Sequence, residues 1–311
     1  MTSSTNGPPR KHHFVTQSWI KRFVAGDGQL YVYDWEKDRV DRGSSKPIMM
    51  IYDLYTVEPG GVLDTSTETT TLGELDRTIP GIFSRLDNGE RGQDLRLDLA
   101  WYFAAQAMRD PEVIASYSGR SQAYALALVE ALSANSYADF IHELGSAFPG
   151  ADVTQAEFND MRSLGKADLE AAIERAIDVL GADGGTPSSP FTDLINDPSG
   201  RKTIEDQLLK LDWTLKTAPG AGHFILGDHG LLFDKGGLAA GLRVPLSPTT
   251  ALWMTPSSKG SGRISDSSAT DWEVDGLNAE SAGRARRWLV GQPAELERWK
   301  RQVRGGKLPK A

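Results

Sequence analysis

The sequence predicts an α+β fold: a mostly helical middle, a small N-terminal β-ribbon, and a C-terminal antiparallel sheet packed by a closing helix. Three observations carry this. Apolar residues recur at helical spacing through 72–108 and in later blocks up to residue 180, alternation with period two marks 30–33 and 213–217, and a Gly, Ser and Pro cluster at 181–190 separates the two grammars. At 311 residues the chain is read as one elaborated domain, 1–311, with sub-lobes 10–58, 72–180 and 203–305.

The first helix follows Lys11-His12-His13-Phe14-Val15-Thr16, where Trp19, Ile20, Phe23 and Val24 fall on one face and Thr16 is placed to cap Ser18 or Trp19. A turn at 25–28 and alternation at 30–33 give the ribbon, and 59–71 reads as a Thr-rich loop. A helix over 72–86 should kink or break at Pro80-Gly81. The densest helix is 95–108, expected to be buried on most sides and stopped by Arg109-Asp110-Pro111. Helical signals continue over 112–144 and 155–180, followed by a short helix at 203–211. Strands are expected at 213–217, 223–226, 231–233 and 251–254, a polar flexible stretch at 257–268, a closing helix over 275–290, and a basic helix opened by Pro293.

Composition excludes several classes. Zero cysteines removes disulfides, thiolate metal sites and cysteine nucleophiles, and no apolar run reaches the roughly 18 to 20 residues of a membrane span. The first nine residues lack the apolar core of a secretory signal, so no membrane and a cytoplasmic location are expected. The net charge of −8 is unevenly spread: residues 284–310 carry nine Lys or Arg against two Glu. That segment reads either as a surface for nucleic acid or phosphate, or as a helix face turned to the protein's own acidic groups. No phosphate-binding loop, GxGxxG, GxSxG elbow or HExxH is present.

The candidate chemistry lies in a few residues. His12 and His13 are adjacent, so at most one reaches a given site, and each reads as structural or as a base or ligand. Asp228 sits between Gly227 and Gly230, where backbone comes close to a ligand, or else it forms an Asx-turn. His223 and His229 flank it. If the N-terminal helix packs on the late sheet, these groups converge, and His13, Asp228 and His223 would hold a divalent metal ion or form a general-base pair. Gln106, Arg109 and Asn278 are polar in apolar surroundings; they tie helices together, and Arg109 alternatively clamps a phosphate or carboxylate. Trp213 and Trp253 are read as sheet core.

The run HHFVTQSWIKRF followed by DGQLYVYD resembles the opening of a bacterial family of uncharacterised proteins, domain of unknown function family 4238, with its HHxVPxxYLxxF pattern. The similarity continues through LAWYFAAQAMRDP, WTLKTAPGAGHFILGDHG (matched to the family's SDxP-like turn), VPLSP and the late helix with Asn278. Thr16 stands in place of the family's proline, Trp19 and Ile20 in place of Tyr and Leu, and Gly227-Asp228-His229-Gly230 in place of SDNP. The resemblance carries over His12, His13, Gln17, Arg109, Asp228 and Asn278 as site residues, and it implies a fold and a site but no reaction.

The function expected is a cytosolic bacterial hydrolase, a metal-assisted phosphodiesterase or nuclease of defence or toxin type. His12 or His13 and Asp228 act as ligand or base, and Arg109 steadies an anion. The alternative is a non-enzymatic module that binds a ligand or partner. On the hydrolase reading, Asp228→Ala abolishes turnover and leaves the melting temperature nearly unchanged.

Overall fold

The computed structural model describes residues 11–52, 73–110, 131–132, 134–147, 153–163, 198–220, 222–235, 237–257 and 262–304. The expected Thr-rich loop, the glycine-rich cluster at 181–190 and much of the helical signal over 112–130 and 164–180 lie outside the described residues. Within them the fold is α+β, with three sheets.

Strand β1 (Lys11–His13) pairs antiparallel with β4 (Met50–Tyr52), setting His12 opposite Ile51 and His13 opposite Met50. Helix α1 (Gln17–Ile20) and a 3-10 turn (Lys21–Phe23) follow at once. Trp19, Ile20 and Phe23 are fully buried, in one core with helices α2 (Gly73–Asp87) and α3 (Gln93–Met108) and with the late strands. The opening of the chain therefore does fold back on the late sheet. Trp19 donates its indole N–H to the carbonyl of Pro245 at 2.8 Å, and Arg22 donates to the carbonyl of Leu246 at 2.8 Å. A buried indole needs one acceptor, and the VPLSP stretch supplies it. Thr16 differs from expectation. Its side chain caps no N–H; its hydroxyl lies 2.8 Å from that of Tyr102 on α3, a buried long-range partner that outcompetes the local cap.

Helix α2 runs through Pro80 without the break that was one of the two outcomes expected there. Burial of Ile79, Ile82, Phe83 and Leu86 on one face holds the helix across the missing N–H. Helix α3 is buried on most sides as expected; Gln93, Asp94 and Leu97 in its first half are exposed. Helices α4 (Tyr137–Ala147) and α5 (Gln155–Ser163) share a separate apolar cluster around Phe140 and Phe158.

Helix α6 (Pro198–Leu208) leads into β5 (Leu211–Thr217). Strands β6 (Leu226–Gly227), β7 (Leu232–Phe233), β8 (Leu242–Pro245), β9 (Thr250–Pro256) and β10 (Ile264–Ser268) follow, then helix α7 (Asp271–Arg284), β11 (Trp288–Val290) and helix α8 (Pro293–Arg304). The five-stranded sheet has order β10-β5-β9-β8-β7 and is mixed, because β10 runs parallel to β5. The polar stretch expected to be flexible thus contains an edge strand. Its outer side faces solvent, so only Ile264 shows as apolar, while the Ser265 hydroxyl bonds Thr214 across the ladder at 2.9 Å.

The N-terminal ribbon, β2 (Leu30–Asp34) with β3 (Arg39–Gly43), is half of a four-stranded sheet of order β3-β2-β11-β6. Its other half comes from late in the chain: Leu289 pairs with Tyr33 on one side and Gly227 on the other. The closing helix expected over 275–290 therefore ends early, at Arg284, and its tail becomes a strand. Its start is set by a capping box between Thr270 and Glu273.

Among the described residues no helix is long and apolar enough to cross a membrane. The basic C-terminal segment meets the protein's own carboxylates: Arg287 with Glu36 at 2.7 Å, Arg298 with Asp275 at 2.6 Å, Arg284 with Glu280 at 2.7 Å, and Arg304 with Asp38.

Candidate functional site

The C-terminal half of α3 presents Tyr102, Gln106, Arg109 and Asp110, spaced i, i+4, i+7 and i+8 and hence on one helical face. Each reaches a different segment. Tyr102 meets Thr16, and burial pushes its phenol above the ordinary value of 10. The Gln106 amide donates to the carbonyl of Phe14. Arg109, 1 % exposed, donates to Asp76 of α2 at 3.0 Å. Asp110 lies beyond the last turn with one carboxylate oxygen 3.1 Å from Nδ1 of His229, both side chains 11 % exposed. One helix end therefore fixes the N-terminal motif, α2 and the Gly227–Gly230 turn relative to one another.

Where they meet there is a cavity of about 110 Å³, lined by Phe14, Ile51, Asp228, His229, Arg286, Arg287 and Trp288. Ile51 is in β4 and Phe14 directly follows β1, its N–H on the Met49 carbonyl at 3.1 Å; Asp228 and His229 come from the turn after β6, Arg286 and Arg287 from the link into β11, and Trp288 from its first position. The rings of Phe14 and Trp288 stand 6.3 Å apart at 35°, and the Arg287 guanidinium lies over Trp288 at 4.8 Å. Two glycines permit the turn. A Cβ on Gly227 would meet the Ser281 carbonyl at 2.8 Å, and Gly230 has φ +64° with the Trp19 ring 3.1 Å from where a Cβ would stand.

Asp228 is in the cavity wall, but its oxygens are used by the backbone. One accepts the Arg286 N–H at 3.0 Å, the other those of Arg287 at 2.8 Å and Trp288 at 3.1 Å. Burial holds its carboxyl above the ordinary 3.8, opposed by these three donors and by His229. The carboxylate replaces the next turn of α7. Ala285 leaves the helix extended, and Asp228 collects the three following N–H groups, so that the chain turns into β11. Asp228, expected from the sequence as a base or metal ligand or as an Asx-turn, anchors the backbone that links α7 to β11.

Asn278 likewise bonds backbone. Its side-chain oxygen accepts the Ile225 N–H at 2.9 Å and its amide donates to the His223 carbonyl at 2.8 Å. Together with the Phe224 N–H, which donates to the Pro248 carbonyl at 2.8 Å, these bonds serve the backbone of 223–225 before the ladder begins at Leu226. His13 accepts at Nε2 from the Gln17 amide at 2.8 Å, and Ser45 donates to the Gln17 oxygen at 3.4 Å. His13, Asp228 and His223 do not assemble as a ligand set: among the described residues no three His, Asp or Glu side chains are grouped to hold a metal ion. His12 is placed by strand register alone, across from the cavity residue Ile51.

Of the candidates, then, Asp228 and His229 line the cavity, while Arg109 bonds Asp76 and Asn278 the backbone at 223 and 225. The arrangement adds Asp110, Phe14, Ile51, Arg286, Arg287 and Trp288. Asp110 had a signal in the sequence, the helical spacing from Tyr102 and Gln106; Trp288 had none, because its strand exists only through pairing with β2. Chemically, a histidine anchored at Nδ1 on a carboxylate exchanges protons through Nε2.

A family model, "Protein of unknown function (DUF4238)", matches residues 11–295. No curated protein and no solved structure matches the chain.

Proposed function

We propose, for a chain that belongs to the DUF4238 family of proteins of unknown function, that it is a hydrolase of phosphate esters, the class that includes phosphodiesterases and nucleases. His229 is the acid–base group and Asp110 the carboxylate that aligns it. The supporting observation is the 3.1 Å contact of His229 Nδ1 with Asp110 at the wall of a cavity built from three distant segments. In the reaction, Nε2 takes a proton from the attacking water as its oxygen bonds to phosphorus. The bond to the leaving oxygen breaks, and the imidazolium returns the proton to that oxygen. Arg286, in the same wall, places positive charge beside the ester.

A second reading, a ligand-binding module without turnover, is favoured by one observation: Asp228 spends its acceptors on backbone amides. Turnover separates the two. With bis(p-nitrophenyl) phosphate as substrate, wild-type protein should release nitrophenol, His229→Gln should lose about 10²-fold or more, and Asp110→Asn should lose less, with melting temperatures kept. No release by the wild type, or an unchanged rate in His229→Gln, overturns the hydrolase reading.

A further inference from the structure

We infer that Asn88 is a site of spontaneous deamidation in the folded protein, and that the change loosens the joint between α2 and the N-terminal motif. The pair Asn88-Gly89 directly follows α2, and both residues are exposed. Gly89 has φ +88°, with open space where a side chain would stand. The reaction needs only water. The Gly89 nitrogen attacks the side-chain carbonyl carbon of Asn88, the new N–C bond closes a succinimide ring, and the amide leaves as ammonia with the proton lost from Gly89. Water then opens the ring at either carbonyl to give aspartate or isoaspartate, so one water enters for each ammonia released.

The fold governs the rate through two hydrogen bonds. The Gly89 N–H donates to the Leu86 carbonyl at 3.1 Å and the Glu90 N–H to that of Arg85 at 3.0 Å, the pattern that closes a helix on a left-handed glycine. Attack requires the first of these bonds to open. Helix ends open at far lower cost than a core, and the Asn88 amide reaches the Ser84 hydroxyl only at 3.5 Å, the long limit of a hydrogen bond. Asn135 and Asn159 are exposed as well, but the side chains of Ser136 and Asp160 crowd the attacking nitrogen. Asn278 is 0 % exposed, with its oxygen and its amide both bonded to backbone. The product disturbs its surroundings in two ways. A carboxylate here meets the negative end of the α2 dipole, and isoaspartate adds a carbon to the main chain inside the helix end. The preceding residue, Asp87, accepts from Arg22 at 2.7 and 2.8 Å, and the Arg22 guanidinium lies over the Phe83 ring at 4.5 Å. Unwinding the last turn therefore pulls at the contact that ties the 3-10 turn to α2.

The test ages the full-length protein in mildly alkaline buffer and follows its peptides by mass and chromatographic retention. Asn88 should convert several-fold faster than Asn135 and Asn159, with isoaspartate among the products, and Asn278 should stay intact. The chain's other Asn-Gly pair, Asn6-Gly7, lies outside the described residues and is followed as a separate peptide. Urea, which releases the Gly89 N–H, should accelerate conversion at Asn88. Aged wild-type protein should melt below fresh protein, whereas Asn88→Gln aged in the same way should keep its melting temperature. Conversion of Asn88 no faster than that of Asn135 or Asn159, or conversion in urea alone, overturns the site. An unchanged melting temperature after conversion, or an equal loss in Asn88→Gln, overturns its effect on the joint.

Discussion

Replacing Asp228 with alanine strips the acceptor from three backbone N–H groups at once, those of Arg286, Arg287 and Trp288, in a site where Asp228 is 4 % exposed. Each buried donor left unsatisfied costs about 1–3 kcal/mol, partly offset because the carboxylate no longer has to be kept out of water. The net expected loss is about 3–5 kcal/mol, or about 5–8 °C in melting temperature for a chain of 311 residues. The damage should be local first: α7 loses its terminus and β11 its entry, so amide exchange at 286–290 should accelerate before the rest of the fold. Asp228→Asn keeps one acceptor oxygen but sets an NH₂ against the donors, and should fall between alanine and wild type. Denaturation with hydrogen exchange measures all of this. A change under 2 °C in Asp228→Ala, with protection at 286–290 intact, would refute the anchoring role. It would also restore the expectation from sequence, in which this variant loses function and keeps its fold.

Acid should act through Glu273, whose carboxyl is held below its ordinary 4.5, first by Lys216 and then by the Thr270 N–H. A depressed pKa contributes stability above 4.5 that is lost as pH falls through the folded value, about 1 kcal/mol for a pair this close to the surface; Glu273→Gln should flatten that slope in acid denaturation. Tyr102→Phe removes the buried bond to Thr16 and should cost about 1 kcal/mol in urea unfolding, with no change in the expected turnover. Gly230→Ala combines a left-handed backbone with contact against Trp19, and should lower stability by about 1–3 kcal/mol; an unchanged melting temperature would show that the turn relaxes freely. Asn278→Ala should cost about 2–4 kcal/mol by releasing both the Ile225 N–H and the His223 carbonyl, seen as early exchange at 225.

The sequence made most of the helices legible because each buries an apolar face that repeats at its own period, α3 above all. It also showed that the N-terminal motif matters, since Trp19, Ile20 and Phe23 could bury only against something outside their short helix. Features set by a distant partner were not legible. Strand β11 exists because Asp228 ends α7 and because β2 is there to pair; nothing within 285–290 breaks a helix, and Gly291 arrives only after the strand. Strand β10 was hidden by the polarity proper to an edge. The site was half legible for the same reason. The Asp228-His229 turn stood out by its glycines, but which of the pair faces backbone and which faces the cavity depends on the Arg286, Arg287 and Trp288 amides and on Asp110, and these come from elsewhere in the chain.

The most direct measurement is the ¹⁵N shift of the two imidazole nitrogens of His229, assigned by comparison with His229→Gln and followed through pH. If Asp110 aligns His229 for proton exchange, neutral His229 should carry its hydrogen on Nδ1, with Nε2 unprotonated, and Asp110→Asn should alter that tautomer balance. A neutral ring protonated at Nε2, unmoved by Asp110→Asn, would contradict the acid–base assignment.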